Sequence, residues 1–314
     1  MGFAGSPRFP SAGTAAASEG FTFFSTALRR GSASRASKHR SVSAAETRPG
    51  AYAGYALDLD GTVYLGEQLL PGAHETISGL RGAGRRVIFL SNNPLLSCEA
   101  YAARLTRMGV PTEPHAVVNS SQVMVAYLRA RFPRQRLFVI GERSFRDELL
   151  DAGFSLTEQP GTIDVVVAAF DRGFDYRKLQ IAFDAVRAGA RFVATNRDPY
   201  CPVPGGGLPD CAAVIAAIEA STGARVEEVV GKPSAVMARA VLDRLGLPPD
   251  RTIMVGDRLE TDIAMGVRAG MHTALVLTGA TRRSDLAAAS VHPEFVLDDL
   301  RGLLPHEAAE GRVR

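Results

Sequence analysis

A repeating rhythm governs what this chain can fold into: an apolar β-rich run, an amphipathic stretch, a glycine, then the next apolar run. The runs are Tyr55–Leu57, Val87–Leu90, Leu137–Ile140, Val165–Phe170, Phe192–Ala194, Thr252–Val255 and Thr273–Leu277. Near-continuous apolar strands are what a parallel sheet covered on both faces requires. Between them, Tyr176, Leu179, Phe183 and Val186 share a helical face, as do Met237, Val241 and Leu245. Gly109, Gly153, Gly189, Gly246 and Gly270 each follow a helix-like stretch, where glycine closes a helix in the left-handed conformation at low cost. The rhythm predicts an α/β fold with a parallel sheet.

Composition narrows the function classes. With 314 residues, 46% hydrophobic, the chain has enough apolar material for a large core and enough length for two domains. No apolar run approaches the roughly 18 residues that cross a bilayer, so no membrane partner is expected. Three scattered cysteines (Cys98, Cys201, Cys211) make neither a disulfide framework nor a cysteine zinc site, and a reducing, cytoplasmic setting is the expectation. The net charge of +3 divides into +5 over residues 1–50 and −2 over the rest, so the folded part carries no nucleic-acid footprint. Residues 1–50, rich in Ser, Ala, Gly and Arg, are expected to be a disordered extension. Their acid-poor, Arg/Ser-rich character faintly resembles an organelle transit peptide, which is the alternative for localisation.

In open α/β sheets, chemistry sits beyond the carboxyl ends of the strands. Four polar segments follow apolar runs. Tyr55–Thr62 places Asp58 and Asp60 at one strand mouth; an EF-hand is excluded because its sixth-position glycine is Val63 here. Ser91-Asn92-Asn93-Pro94 offers a hydroxyl and backbone N–H groups that can hold a phosphoryl oxygen, or equally an ordinary turn. Gly231-Lys232-Pro233 presents a cation, with Pro233 at a plausible first helical position; a P-loop is excluded because position 226 is Val226. Gly256-Asp257, followed by Asp262 at a helix start, suits a divalent cation held by one or two carboxylates.

Together, Asp58-x-Asp60-Gly-Thr, Ser91, Gly-Lys232-Pro and Gly-Asp257-x-x-x-x-Asp262 resemble the haloacid dehalogenase superfamily of phosphatases, in the family's order and over roughly residues 51–300. That resemblance implies a Rossmann-like core and a Mg²⁺-dependent phosphomonoesterase. Asp58 would attack phosphorus, and Asp60 would protonate the leaving alcohol and then deprotonate water. Asp58, Asp257 and the carbonyl of Asp60 would hold the metal, with Asp262 as a further ligand or a neighbour of one, while Ser91 and Lys232 would bind the phosphoryl group. Dehalogenases of the superfamily lack the second aspartate, so Asp60 favours a phosphatase.

The long interval from Ser91 to Lys232 predicts an inserted α/β cap over residues 136–228, with residues 51–135 and 229–314 as the core. The segment Ala190–Pro199 with Gly205-Gly-Gly resembles the cap of the NagD-like subfamily, and Val229–Ser234 with Asp262–Gly266 resembles the AraL-type sugar phosphatases. A sugar phosphate is therefore the expected small-molecule substrate. A dedicated phosphoglycolate or glycerol-phosphate phosphatase is the alternative, and a non-catalytic metabolite-binding protein a remote one. Asn92 and Asn93 are expected to contact substrate from the core side, and Cys201 from the cap loop, where pyridoxal phosphatases carry a histidine. The subfamily resemblance also implies a homodimer, although no stripe in the sequence marks an interface.

Overall fold

The computed structural model describes residues 48–203 and 205–304, so the expectations for residues 1–47 lie outside the described residues. The chain begins with β1 (Gly54–Asp58), the small hairpin β2 (Tyr64–Leu65) and β3 (Gln68–Leu69), and α1 (Ala73–Gly82). It continues through β4 (Arg86–Ser91), α2 (Cys98–Arg107), β5 (Val117–Asn119) and α3 (Ser120–Arg131). A second series follows: β6 (Arg136–Ile140), α4 (Arg143–Asp151), β7 (Ser155–Leu156), β8 (Val165–Ala168), α5 (Tyr176–Arg187) and β9 (Arg191–Ala194). The hairpin β10 (Tyr200–Val203) and β11 (Gly206–Pro209), α6 (Cys211–Thr222) and β12 (Glu228–Val229) complete it. The chain then adds α7 (Ala235–Leu245), β13 (Thr252–Gly256), α8 (Ala264–Ala269), β14 (His272–Val276) and β15 (Phe295–Leu297).

Two parallel sheets result. One has the order β15-β14-β13-β1-β4-β5, the other β12-β9-β8-β6-β7. Every predicted apolar run supplies a strand to one of them, Val165–Phe170 and Thr273–Leu277 running past the ends of β8 and β14. Because side chains alternate across a strand, β1 sends Ala56 to one face and Tyr55 and Leu57 to the other. The second face packs on Ile77 and Leu80 of α1 and Tyr101 and Leu105 of α2. The first meets Leu128 of α3 and Met237 and Val241 of α7, and the same apolar layer takes in Val139, Val167 and Val193 of the second sheet. The opposite face of that sheet packs on α5 and α6 through Ile181, Ala182, Val214 and Ile218. The Met237–Val241–Leu245 stripe is buried as expected.

Two expectations need correction. Tyr176 does not join the buried stripe of α5: it is 79% exposed, whereas Leu179 and Val186 of the expected stripe pack partly buried beside Ile181, Ala182 and Ala185. Two alanines let the helix approach the sheet closely, leaving Phe183 half-buried beneath the Arg187 guanidinium. Pro233 is not the first residue of a helix; α7 starts at Ala235 behind Ser234, whose hydroxyl accepts from Met237 N. Short strands without long apolar runs, such as β5, β12 and β15, had no signal strong enough to predict them. The five helix-closing glycines all have positive φ, from 60° to 102°.

Candidate active site

β1 lies between β13 and β4, where the order of connection reverses, and the crevice beyond such a reversal is where α/β sheets bind ligands. Register brings the polar ends level. Asp58 aligns with Leu90, next to Ser91, and Leu57 aligns with Val255, two residues before Asp257. Lys232 arrives differently from expectation: it follows β12, a strand of the second sheet that pairs with β9. The Gly61 turn, with φ of 88°, bends the chain away after Asp60.

These ends form one charged cluster. Lys232 Nζ donates to Asp58 Oδ1 at 2.5 Å and to Asp262 Oδ1 at 2.6 Å, and all three residues are under 10% exposed. Asp262 Oδ2 accepts from Arg258 N at 3.1 Å, and Asp58 Oδ2 from Thr62 Oγ1 at 3.4 Å. Burial pushes the Asp58 carboxyl upward, Lys232 pulls it down, and Asp262 and Asp257 push it up again. Burial, then the neighbouring Asp262, carries Asp257 up to about 6.

The donor set fits a divalent cation. Asp58, Asp257 and Asp262 each offer an oxygen within 4.8 Å of the others, the one such group among the described residues. Asp257 Oδ2 accepts from Ala280 N at 2.6 Å, but its buried Oδ1 has no partner. An unpaired buried carboxylate oxygen is costly unless something positive meets it, and three carboxylates against one ammonium leave excess negative charge. A Cβ on Gly279 or Gly61 would come within 2.0 or 2.6 Å of the Asp257 carboxylate, so glycine is needed there to leave it room.

Asp60 lies beside Asp58 in the same cleft, and burial holds its carboxyl above the ordinary range, with Arg104, Lys232 and Arg258 opposing. Ser91 is 2% exposed; its Oγ accepts from Asn93 N at 3.1 Å and lies 3.2 Å from Tyr101 Oη. Tyr101 donates to Asn93 O at 3.1 Å, which leaves Ser91 as the donor of that pair. Asn93 Nδ2 donates to Cys201 Sγ at 3.3 Å, joining the loop after β4 to the β10–β11 hairpin. Asn92 also lines the cleft, but its amide is taken up by the main chain of Lys232 and by Asp198.

Five cleft residues were not expected from the sequence: Tyr200, Thr261 and the charged Asp198, Asp210 and Arg258. Asp198 was legible as the polar end of the Phe192–Ala194 run, displaced four residues by a turn. Arg258 was hidden by its neighbour Asp257; its guanidinium lies 5.2 Å from the centre of the Tyr200 ring. Asp210 caps α6, and burial pushes its carboxyl up to about 7. A carboxyl raised above its unfolded value contributes stability below the unfolded pKa and loses it as pH rises through the folded one. Asp210→Asn, which keeps a good helix cap, should therefore raise Tm relative to the parent at pH 8 and not at pH 4; an equal shift at both would contradict the assignment.

Residues 55–155 match a family profile described as haloacid dehalogenase-like hydrolase, and residues 229–303 match a related HAD-hydrolase-like profile. The sugar-phosphatase AraL of Bacillus subtilis is 38% identical over 260 residues, covering 83% of this chain and 95% of that protein. Mouse chronophin is 35% identical, covering 82% and 89%. Among solved structures, the 4-nitrophenylphosphatase of Thermotoga maritima superposes with a TM-score of 0.77 at 36% identity, covering 81% of this chain and 97% of that one. NagD of Escherichia coli K-12 superposes at 0.73 with 30% identity, covering 79% and 97%.

Proposed function

The chain belongs to the haloacid dehalogenase-like hydrolase family and is a phosphatase of phosphoric monoesters, and from that premise we propose that it hydrolyses sugar phosphates and similar small metabolites with Asp58 as a covalent nucleophile. The observation that carries this reading is the buried Asp58–Lys232–Asp262 cluster with the unpartnered Asp257 oxygen beside it. Such a cluster is poorly suited to structure alone, because each buried charge costs several kcal/mol to desolvate. It suits a dianionic phosphoryl group, which needs positive charge and a fixed nucleophile.

In this account an Asp58 oxygen forms a bond to phosphorus as the ester P–O bond breaks. The proton held by Asp60 goes to the departing oxygen, which leaves as an alcohol. Asp60, now a carboxylate, takes a proton from water as the water oxygen bonds to phosphorus, the Asp58–phosphorus bond breaks and phosphate leaves. The raised Asp60 carboxyl favours the protonated form that the first step needs. Lys232, held by both Asp58 and Asp262, places an ammonium against the phosphoryl oxygens, and Ser91 adds a hydroxyl once its proton turns from Tyr101 Oη toward the substrate. Asp58, Asp257 and the Asp60 carbonyl are the residues that would hold Mg²⁺, which when bound neutralises phosphoryl charge. Asp262, held by Lys232 and Arg258 N, aims the lysine and stands as a further ligand of the metal or a neighbour of one.

Residues 51–135 and 229–314 constitute the catalytic core and residues 136–228 the cap in this reading. Tyr200, Cys201 and Asn93 lie where the alcohol portion would rest. No helix among the described residues is long and apolar enough to cross a membrane. The near-neutral folded part agrees with a small-molecule partner rather than nucleic acid, and the subfamily resemblance with a homodimer. One observation favours the phosphoglycolate alternative: the Arg258 guanidinium has no carboxylate at ion-pair distance among the described residues and could meet an acidic leaving group.

A panel of kcat/KM values with Mg²⁺, over sugar phosphates, glycerol phosphate, phosphoglycolate and pyridoxal phosphate, tests the reading. Sugar phosphates should lead; no Mg²⁺-dependent phosphate release from any of them would refute it. Asp60→Asn supplies a finer test. Nitrophenolate departs with little protonation, whereas water still needs a base, so p-nitrophenyl phosphate should give a burst of about one nitrophenol per enzyme followed by slow turnover. Sugar phosphates should give neither burst nor turnover. Full steady-state activity on both would remove Asp60 from proton transfer.

A further inference from the structure

Lys232 is held at both ends, and the hold on its main chain has no part in the steps above. Asn92 grips it twice: Lys232 N donates to Asn92 Oδ1 at 2.7 Å, and Asn92 Nδ2 donates to Lys232 O at 3.2 Å. The same Nδ2 donates to Asp198 Oδ1 at 3.2 Å. Both of its side-chain hydrogens are thereby engaged, within a residue only 6% exposed, so no side-chain N–H remains to offer a phosphoryl oxygen. The Asn92 carbonyl is fixed in turn, accepting from Asn196 Nδ2 at 2.9 Å and Ser120 Oγ at 2.5 Å. Gly231 N donates to Thr195 O at 2.7 Å. A Cβ on Gly231 would stand 2.5 Å from that carbonyl and 2.7 Å from Asn92 Oδ1, so only glycine allows the three loops to close this tightly.

The loops come from different places. Asn92 follows β4 of the six-stranded sheet, whereas Asn196 and Asp198 follow β9 and Lys232 follows β12 of the five-stranded one. We infer that Asn92 is a positioning residue for Lys232, and that Asp198 orients Asn92, so a polar bridge between the two sheets aims the ammonium. The inference rests on reading Lys232 as the phosphoryl-binding cation. A lysine has four rotatable side-chain bonds, and its charge meets Asp58 and Asp262 together only while its Cα is fixed. Misplacement by about 1 Å of a group at the reacting centre can cost on the order of 10²-fold in rate.

The test measures kcat and KM for p-nitrophenyl phosphate with Mg²⁺ in Asn92→Ala, Asp198→Ala, Asp198→Asn, Lys232→Ala and the double variant Asn92→Ala/Lys232→Ala. Asn92→Ala should lower kcat by on the order of 10²-fold with KM changed by no more than about 3-fold. Asp198→Ala should lower kcat, and Asp198→Asn should restore it, because an asparagine oxygen still accepts from Asn92 Nδ2. With Lys232 absent, Asn92→Ala should cost little more, since there is no ammonium left to aim. A merely structural role would multiply the loss equally in both backgrounds, and that result would overturn the inference. If Asn92→Ala does not fold, the Asp198 pair decides: equal loss in alanine and asparagine overturns it, rescue by asparagine supports it. Undiminished activity of Lys232→Ala would instead fail the phosphoryl-binding reading, whereas loss there with normal activity in Asn92→Ala fails the positioning role alone.

Discussion

Asp58→Asn should lower turnover by on the order of 10⁴-fold while leaving the protein folded, because an amide cannot form the acyl-phosphate bond that the first displacement requires. The fold should tolerate the change unusually well. Asp58 sits with Asp257 and Asp262 against the one ammonium of Lys232, and both carboxylates push its own carboxyl upward. An asparagine fills the same space, relieves that repulsion, and still offers an oxygen to Lys232, which keeps Asp262 as an ionic partner. Tm measured in a chelator should therefore be no lower than in the parent. A folded Asp58→Asn protein with near-normal rates would end the nucleophile assignment; a loss of activity accompanied by unfolding would leave Asp58 with a structural role.

Lys232→Ala should lower kcat by about 10²–10³-fold, the magnitude seen when one preorganised donor to developing negative charge is removed. This change should also destabilise. Removing one partner of a buried ion pair costs up to about 3–5 kcal/mol, and here two buried carboxylates lose the same cation. The pH dependence gives the loss a signature. Lys232 pulls the Asp58 carboxyl down in the parent, so its removal lets the folded state hold protons to higher pH. Stability of the variant, relative to the parent, should then be best preserved in acid and fall as pH rises through the raised carboxyl range. Equal destabilisation at pH 5 and pH 8, read by thermal melting, would contradict that account.

Most of the core was legible because parallel strands buried on both faces must be apolar throughout. Tyr55–Leu57, Val87–Leu90 and Thr252–Val255 therefore announce themselves, and so do the carboxylates just beyond them. Short edge strands such as Glu228–Val229 and Phe295–Leu297 carry no such pattern, since two or three residues cannot display a period. That is why Lys232 read as another end of the same sheet, although it enters from the neighbouring one. Tyr176 misled because a side chain at the first position of a helix can match the stripe in sequence and still project beyond the surface it covers. Residue types singled out Asp58, Asp60, Lys232 and Asp257, which the fold brings to one cleft. They could not reveal what Asn92 does, because an asparagine after a strand is usually a turn residue. Its bonds to residues 106 and 140 positions away exist only in the folded chain.

In the proposed mechanism the phosphoryl group passes through Asp58. Rapid acid quench of the Mg²⁺-loaded protein during turnover of p-nitrophenyl phosphate, followed by peptide mass mapping, tests it most directly, and Asp60→Asn should enrich the trapped species. One phosphoryl group should appear on the peptide carrying Asp58, lost on mild alkaline treatment and absent in Asp58→Asn. A phosphoryl group mapped to another residue, or none at any time point while phosphate is released, would contradict it.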